Sequence, residues 1–162
     1  AYAYMCGHPG KKLLFMGQEF GQWNEWSEER ELDWYLLDDE SHKQMKDFTK
    51  KCMLLYKNYR CLYETDYRPE GFRYSFIRIS PDNNKHLLFV LSFTPVERNK
   101  FRIGAPLKGK YKLVLGSNED IQKKTLTAVK GDCDGYKQSL LIDLPAYGIA
   151  VYEFSGDLGI DD

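Results

Sequence analysis

Residues 86–93, HLLFVLSF, decide the fold of the second half of this chain. They form a short, almost wholly apolar run, and residues 81–84 just before it, PDNN, have the composition of a tight turn. Before that turn, residues 72–80, FRYSFIRIS, alternate imperfectly between apolar and polar side chains. A short apolar run bounded by turn residues is typical of a buried strand, so these segments predict two β-strands separated by a turn.

The same pattern continues toward the end of the chain. The connecting segments are rich in Gly, Pro, Asn and Asp, as in GAPLKG, GSNED, GDCDG and PAYG. Short strands separated by turn residues at regular intervals predict an antiparallel β-sandwich, which we place at residues 69–156. The boundary between this domain and the preceding part of the chain is predicted near Tyr67 and Gly71. Residues 157–162 are predicted to be a disordered acidic tail. Further strands are predicted at residues 100–103, 111–115, 126–130, 139–144 and 149–154.

One long amphipathic helix is predicted at residues 38–62, DDESHKQMKDFTKKCMLLYKNYRCL. Asp39 or Ser41 can cap its first turn. Apolar side chains recur in it at intervals of three and four residues, which makes one apolar stripe and indicates packing against a core. The stripe consists of Met45, Phe48, Cys52, Leu55, Tyr56 and Tyr59.

The first residues indicate part of a repeated β/α unit. Residues 1–6 are typical of the end of a helix, which Gly7 would cap and Pro9 would follow. Residues 12–17, KLLFMG, predict a strand buried on both faces, as in a parallel sheet. We therefore interpret residues 1–68 as the C-terminal end of a (β/α)8 barrel. One strand cannot close a barrel, and the chain begins without methionine, so we expect it to be cut from a longer protein.

The loop after that predicted strand combines carboxylates with aromatic rings in the sequence FMGQEFGQWNEWSEERELDW, residues 15–34. Glycoside cleavage needs two carboxyl groups about 5–10 Å apart, and Glu19 and Glu25 are the candidates. Any acidic loop supplies two acids, so we do not expect a catalytic pair here. The indole rings of Trp23 and Trp26 either stack on sugar or pack within the protein. Trp34 is predicted to fasten the loop to the next helix.

Charge and spacing exclude several function classes. The net charge is −1, which gives no reason to expect nucleic acid or an anionic membrane as a partner. No apolar run approaches the roughly 20 residues that a membrane span needs. The four cysteines lack CxxC spacing and the three histidines are isolated, so no metal site is predicted. Reduced, mostly buried thiols indicate a cytoplasmic protein.

Residues 10–37, GKKLLFMGQEFGQWNEWSEERELDWYLL, resemble the last barrel strand and following loop of bacterial 1,4-alpha-glucan branching enzymes. The family pattern Met-Gly-x-Glu-Phe-x-Gln stands at residues 16–22, followed by Glu-Trp and Leu-Asp-Trp at residues 25–26 and 32–34. Residues 71–118 resemble the C-terminal β-domain of that family, although Ser92 replaces an Asn of its core. Residues 139–154, SLLIDLPAYGIAVYEF, match the closing strands, and the resemblance covers residues 1–155.

The resemblance implies a function in glycogen biosynthesis, within the alpha-amylase superfamily. Such enzymes cleave an alpha-1,4 glucan and transfer the cut chain to a 6-hydroxyl group, which forms an alpha-1,6 branch. They use an Asp nucleophile, a Glu acid/base and a second Asp, and no organic cofactor. These residues precede the segment that matches this chain, so no catalytic residue is expected here and the chain alone is predicted to be inactive. The possible substrate-binding residues are Gln18, Glu19, Phe20, Trp23, Glu25 and Trp26.

Glucan is therefore the expected partner, and two alternatives stay open. The β-domain can be a non-enzymatic glucan-binding module, with Tyr111, Tyr136 and Tyr147 either stacking on sugars or packing in the core and turns. The whole protein can also be another alpha-amylase relative, trehalose-forming or debranching. In either case, residues 12–60 are expected to rearrange, to pack on the sandwich or to self-associate, because a barrel strand without neighbours needs cover.

Overall fold

The computed structural model describes residues 1–64, 75–80, 82, 85–117 and 125–158. Two helices, α1 (Tyr2–Gly7) and α2 (Glu40–Asn58), precede the strands, with short 3₁₀ turns at Gln18–Phe20, Trp34–Asp38 and Arg60–Leu62. The predicted domain boundary near residues 67–71 and the last four residues of the predicted tail lie outside the described residues. The strands are β1 (Ser75–Arg78), β2 (His86–Leu91), β3 (Arg98–Ala105), β4 (Lys110–Gly116), β5 (Thr125–Thr127), β6 (Val129–Cys133), β7 (Tyr136–Leu144) and β8 (Ile149–Phe154).

The strands form two antiparallel sheets, as the alternation and turn residues predict. One sheet has the order β1-β2-β8-β4-β5 and the other has the order β3-β7-β6. In the first sheet β2 pairs with β8 along its whole length, from His86 opposite Phe154 to Leu91 opposite Ile149. The sheets enclose one hydrophobic core, to which Leu88 and Leu140 contribute. The prediction of a mainly β fold with an antiparallel sandwich is confirmed.

The two helices cover the outer face of the five-stranded sheet and create a second core. Phe89 of β2 and Cys52 of α2 both belong to this second cluster, whereas Leu88 and Val90 face the other sheet. Every residue of β2 is therefore buried. This three-layer arrangement explains why β2 is a continuous apolar run, since a strand covered on both faces has no reason to alternate.

Helix α2 forms within the predicted segment 38–62, but it ends at Asn58 and Arg60–Leu62 form a separate 3₁₀ turn. The Asp39 carboxylate accepts a hydrogen bond from the Ser41 backbone N–H at 2.8 Å, which satisfies one of the unpaired donors of the first turn. Thr49, Cys52 and Leu55 of the helix are buried, along with His42. Helix α1 includes Gly7, one residue beyond the predicted end.

The strand predicted at residues 12–17 is wrong. These residues belong to no β-ladder, and Leu13 and Phe15 are 74% and 47% exposed. A strand needs a neighbour that pairs with its backbone N–H and C=O groups, and none of the described strands lies beside this segment. The helices that flank it nevertheless pack on the sandwich, which is one of the three expected outcomes for residues 12–60.

The strand predicted at residues 126–130 is two strands. Thr125–Thr127 pairs with β4 in the five-stranded sheet, whereas Val129–Cys133 pairs with β7 in the three-stranded sheet. Between them, the Ala128 N–H donates to the Gly109 carbonyl at 2.9 Å. The chain therefore crosses from one sheet to the other at Ala128, without a Gly or Pro at the crossing that would have marked it.

Candidate functional site

The loop at residues 17–34 begins with a turn that depends on two glycines. Gly17 and Gly21 have φ angles of 84° and 71°, in the left-handed region that glycine adopts without strain. They bracket the 3₁₀ turn Gln18–Phe20. A Cβ atom on Gly17 would also lie 2.6 Å from Oε1 of Gln22. The glycines of the GQEFG motif therefore set the path of the loop.

Hydrogen bonds of polar side chains then join the first part of the loop, residues 22–24, to Asp33 near its end. The Gln22 Oε1 atom accepts from the Asp33 N–H at 3.0 Å, and the Gln22 Nε2 atom donates to the Asn24 carbonyl at 2.9 Å. The Asn24 Nδ2 atom donates to Asp33 Oδ2 at 2.8 Å. Asp33 is buried and its carboxylate is engaged within the protein. Its role is therefore to hold the loop, not to contact a ligand.

His42 anchors this loop to α2. Its Nδ1 atom lies 2.7 Å from the Phe20 carbonyl oxygen, and since a carbonyl only accepts, Nδ1 carries the proton. Phe20 is fully buried, and its ring centroid lies 5.3 Å from that of Trp34. By its spacing in the sequence His42 is an isolated histidine, and this contact was not predicted. The available signal was its position three residues before Met45, on the buried face of the helix.

The structure separates the six predicted substrate-binding residues into three groups. Phe20 is interior and supports the loop. Trp23 is 75% exposed and Trp26 is 40% exposed, and each ring is held edge-on by an aromatic neighbour. The neighbour of Trp23 is His42, with ring centroids 5.2 Å apart. The remaining three are polar: Gln18 and Glu25 are exposed and Glu19 is half-buried.

Trp34 occupies the position predicted for a residue that fastens the loop to the helix. Its ring packs on Phe20, and the Lys46 ammonium of α2 lies 5.9 Å from its centroid. At the other end of the loop, the Tyr2 hydroxyl of α1 donates to the Gln18 carbonyl at 2.9 Å. Burial and the nearby Glu19 carboxylate raise the pKa of Tyr2 above its ordinary value, so this hydroxyl stays a donor at neutral pH. Both helices therefore hold the loop.

The three tyrosines proposed as sugar-stacking residues differ in exposure. Tyr111 is fully buried, and its hydroxyl accepts from the Leu107 N–H at 3.1 Å and donates to the Leu107 carbonyl at 3.0 Å. Tyr136 packs against the sandwich core. Only Tyr147 of these three is largely exposed, at 68%, and it has a φ of 49°. Core packing therefore accounts for Tyr111 and Tyr136 but not for Tyr147.

Other kinds of site find little support in the described residues. No cluster of three His, Cys, Asp or Glu side chains in them is arranged to hold a metal ion. Nor is any helix among them long and apolar enough to span a membrane. A shallow cleft of about 220 Å³ lies beside the end of α2, and its lining includes Tyr59, Arg60, Asp82 and Lys85. The Tyr59 hydroxyl donates to Glu153 at 2.6 Å, which leaves this aromatic side chain engaged within the protein.

Comparison with known sequences gives one family and a set of close relatives. Residues 69–155 match the family described as alpha amylase, C-terminal all-beta domain. The 1,4-alpha-glucan branching enzyme GlgB of Butyrivibrio fibrisolvens is 44% identical over 94% of this chain and 27% of its own length. The enzyme of the same name from Geobacillus stearothermophilus is 34% identical over 93% of this chain and 26% of its own length. The chain thus spans about a quarter of the length of the curated relatives it matches.

Solved structures show the same fold at much lower identity. An AmyP variant in complex with maltotriose superposes with a TM-score of 0.66 at 13% identity, over 94% of this chain and 33% of that one. A debranching enzyme of Nostoc punctiforme superposes with a TM-score of 0.55 at 17% identity, over 94% of this chain and 30% of that one. At such identities the likeness establishes the fold alone.

Proposed function

Since this chain belongs to the family of alpha amylase C-terminal all-beta domains, we propose that it is part of a 1,4-alpha-glucan branching enzyme. The observation that carries the proposal is the extent of the 44% match to the Butyrivibrio fibrisolvens enzyme. The domain family accounts for residues 69–155, whereas the match covers 94% of the chain and so must include most of residues 1–68. The debranching enzyme of similar fold is 17% identical over the aligned residues, a likeness that establishes the fold alone, whereas the 44% match is to a branching enzyme and so favours branching.

The whole enzyme would cleave an alpha-1,4 glucan and transfer the cut chain to a 6-hydroxyl group in glycogen biosynthesis. We place it in the cytoplasm, where the buried Cys6, Cys52 and Cys61 stay reduced. Double displacement requires one carboxylate as nucleophile and a second, protonated carboxyl group as general acid. In this chain Asp33 is engaged with Asn24 and Glu25 is exposed to solvent. The catalytic carboxylates therefore belong to another part of the whole enzyme, and this chain alone is inactive.

The loop at residues 17–34 forms one wall of the glucan site in this proposal. Trp23 and Trp26 present exposed indole surface, which is suited to stacking on a sugar ring. Gln18, Glu19 and Glu25 supply polar groups on the same loop. The rigid support comes from the contact between His42 and the Phe20 carbonyl, so the wall keeps its shape without glucan.

The wall and the residues that flank it, residues 13–35, also present a surface on which several large apolar side chains are exposed. A monomeric protein rarely exposes a contiguous apolar patch of more than a few hundred Å². We propose that the rest of the whole enzyme covers this surface, and that the chain alone self-associates through it. The exposed large apolar side chains here are Leu13, Phe15, Met16, Trp23, Trp26, Trp34 and Tyr35.

Iodine absorbance of amylose tests the proposal in two steps. Incubation with this chain alone should leave the signal unchanged, whereas a falling signal without new reducing ends would show that transfer chemistry resides here. The second step replaces the corresponding segment of the Butyrivibrio fibrisolvens enzyme with this chain. Branching should be retained in that chimera, and a matched chimera carrying the equivalent AmyP segment should lose it. Equal loss in both chimeras, with both proteins folded, would contradict the proposal.

A second candidate function, glucan binding by the β-domain itself, is favoured by Tyr147. Its ring is 68% exposed on the turn between β7 and β8. Retardation of the chain in amylose gels should then be reduced by Tyr147→Ala and unaffected by Tyr136→Phe, which keeps a core ring. No retardation of the unaltered chain would exclude this function.

A further inference from the structure

The cleft beside the end of α2 lies where the helical layer meets the five-stranded sheet. One wall is formed by the end of α2 and the 3₁₀ turn that follows it, and the other by residues between β1 and β2. Small-molecule sites favour such interfaces between packed parts of a protein, where a few polar groups converge on one space. The residues that line this cleft of about 220 Å³ are Asn58, Tyr59, Arg60, Ser80, Asp82 and Lys85.

Two hydrogen bonds between the layers hold the walls of the cleft in place. The Tyr59 hydroxyl donates to Glu153 of β8 at 2.6 Å. The buried Arg78 at the end of β1 donates from Nε to the Cys61 carbonyl at 3.0 Å. Both bonds join the segment that follows α2 to the five-stranded sheet. The cleft is therefore formed before a ligand arrives, and binding costs little ordering of the protein.

Positive and negative charges are balanced around the cleft. The Arg60 guanidinium binds Glu64 Oε2 at 2.7 Å, and its Nη1 atom lies 3.4 Å from Asp82 Oδ2. Lys85 adds a second cation, so the two cations face two carboxylates. An anion such as phosphate would meet both carboxylates, and a cation would meet Arg60 and Lys85. Since like charges brought together oppose binding, this balance favours a neutral ligand.

The lining also offers hydrogen-bonding groups and one aromatic face. Within the described part of the chain, neither the side-chain amide of Asn58 nor the Lys85 ammonium makes a hydrogen bond or an ion pair. The amide both donates and accepts, and the ammonium donates three hydrogen bonds. The Tyr59 ring lines the same space, although its hydroxyl is bound to Glu153. A ligand with several hydroxyl groups and an apolar face matches this lining, and a pyranose ring has both.

We propose that this cleft binds a glucose residue of an alpha-1,4 glucan. Its hydroxyl groups bind Asn58 and Lys85, and its C–H face packs on the Tyr59 ring. The volume is smaller than the roughly 300 Å³ of a pocket for a drug-sized ligand, which suits a short saccharide segment. The identity of the sugar rests on the proposed function, whereas the choice of a neutral polyhydroxyl ligand rests on the lining alone.

The cleft is a second glucan contact, separate from the loop at residues 17–34. That loop is anchored to α2 at His42, and Asn58 ends the same helix. At a rise of 1.5 Å per residue, these two positions lie about 24 Å apart along the helix axis. A sugar residue in the cleft is therefore not the one that stacks on Trp23.

The test titrates the ¹⁵N-labelled 162-residue chain with maltotriose and follows backbone and side-chain N–H signals by nuclear magnetic resonance. Signals of the Asn58 amide, Arg60 Nε and the Lys85 backbone should shift along one saturating curve. Lys85→Ala should weaken this binding about 3- to 10-fold, as expected for the loss of one hydrogen bond. The matched control is Lys57→Ala, which removes the same charge from an exposed lysine outside the cleft and should leave the affinity unchanged.

Three results would overturn the proposal. Shifts confined to Trp23, Trp26 or Tyr147 would place the sugar elsewhere on the chain. Equal weakening by Lys85→Ala and Lys57→Ala would show an unspecific effect of charge. Inorganic phosphate that shifts the cleft signals at lower concentration than maltotriose would show an anion site instead.

The chimera with the Butyrivibrio fibrisolvens enzyme separates this proposal from the proposed function. Branching by the chimera without maltotriose shifts at the cleft would overturn the cleft site alone. Shifts at the cleft that respond to Lys85→Ala, together with loss of branching in the folded chimera, would support the cleft site and contradict the proposed function alone.

Discussion

The substitution Gly7→Ala tests how closely α1 packs against the five-stranded sheet. A Cβ atom on Gly7 would lie 2.6 Å from Cε1 of Phe89 and 2.8 Å from Cζ of Phe76. These two rings are stacked, with centroids 4.7 Å apart and planes at 6°, and both are buried. Neither ring can move away without disturbing the core beneath it, because protein interiors are close-packed.

Two opposing effects decide the sign of the change. Replacing glycine by alanine in a helix stabilises it by about 0.5–1 kcal/mol, since alanine loses less backbone entropy on folding. Forcing an extra methyl group into a packed core costs about 1–3 kcal/mol. The core cost is larger, so Gly7→Ala should lower the free energy of unfolding by about 1–2 kcal/mol. For a protein of this size the melting temperature should fall by about 2–8 °C.

Urea unfolding, followed by far-ultraviolet circular dichroism, measures the effect. The same substitution should be introduced into a Phe89→Leu background, where the closest ring atom is absent. There Gly7→Ala should cost clearly less, because the overlap with Phe89 is relieved. An increase in stability, or the same cost in both backgrounds, would refute the steric reasoning.

Three further predictions concern single contacts. His42→Ala should speed amide hydrogen exchange around Phe20 and lower stability by about 1–3 kcal/mol, since it leaves a buried carbonyl without its donor; unchanged exchange would contradict the anchoring role. Hydrogen bonds from Ser41 hold the pKa of the Asp39 carboxyl below its usual value, so the ionised carboxylate stabilises the folded state at neutral pH, and this stabilisation is lost as the pH falls below about 4. In thermal melts, the stability of Asp39→Ala should therefore fall less on acidification than that of the unaltered chain. Burial raises the pKa of Tyr111 to about 12, so the neutral Tyr111 side chain stabilises the folded state fully below about pH 10, and this stabilisation is lost as the pH rises toward 12. Tyr111→Phe should therefore weaken the alkaline loss of stability, and an unchanged alkaline stability profile would contradict this prediction.

The periodicity of the sequence determined most of the regular structure. The apolar stripe of α2 and its Asp39 cap predicted the helix, and the run at residues 86–93 predicted a buried strand. Glycines, prolines and asparagines placed the turns between strands. These features could be predicted because each depends on residues close together in the chain.

The sequence also indicated a candidate functional loop. The residues of GQEFGQWNEW pointed to a wall of a glucan site, and the structure supports the exposed positions of Trp23 and Trp26. The sequence did not distinguish these from Phe20, which is interior. Residue type alone does not separate an aromatic ring that faces solvent from one that supports the loop, because both are apolar and lie within a few residues of each other.

Only the tertiary structure decided which distant residues meet. Residues 12–17 have the composition of a buried strand, but no strand in the described part of the chain lies beside them, because backbone pairing requires a neighbour that local pattern does not specify. The crossing between sheets at Ala128 and the contact of His42 with the Phe20 carbonyl have the same origin. Each depends on the path of the backbone between the two residues, which only the packing of helices and sheets defines.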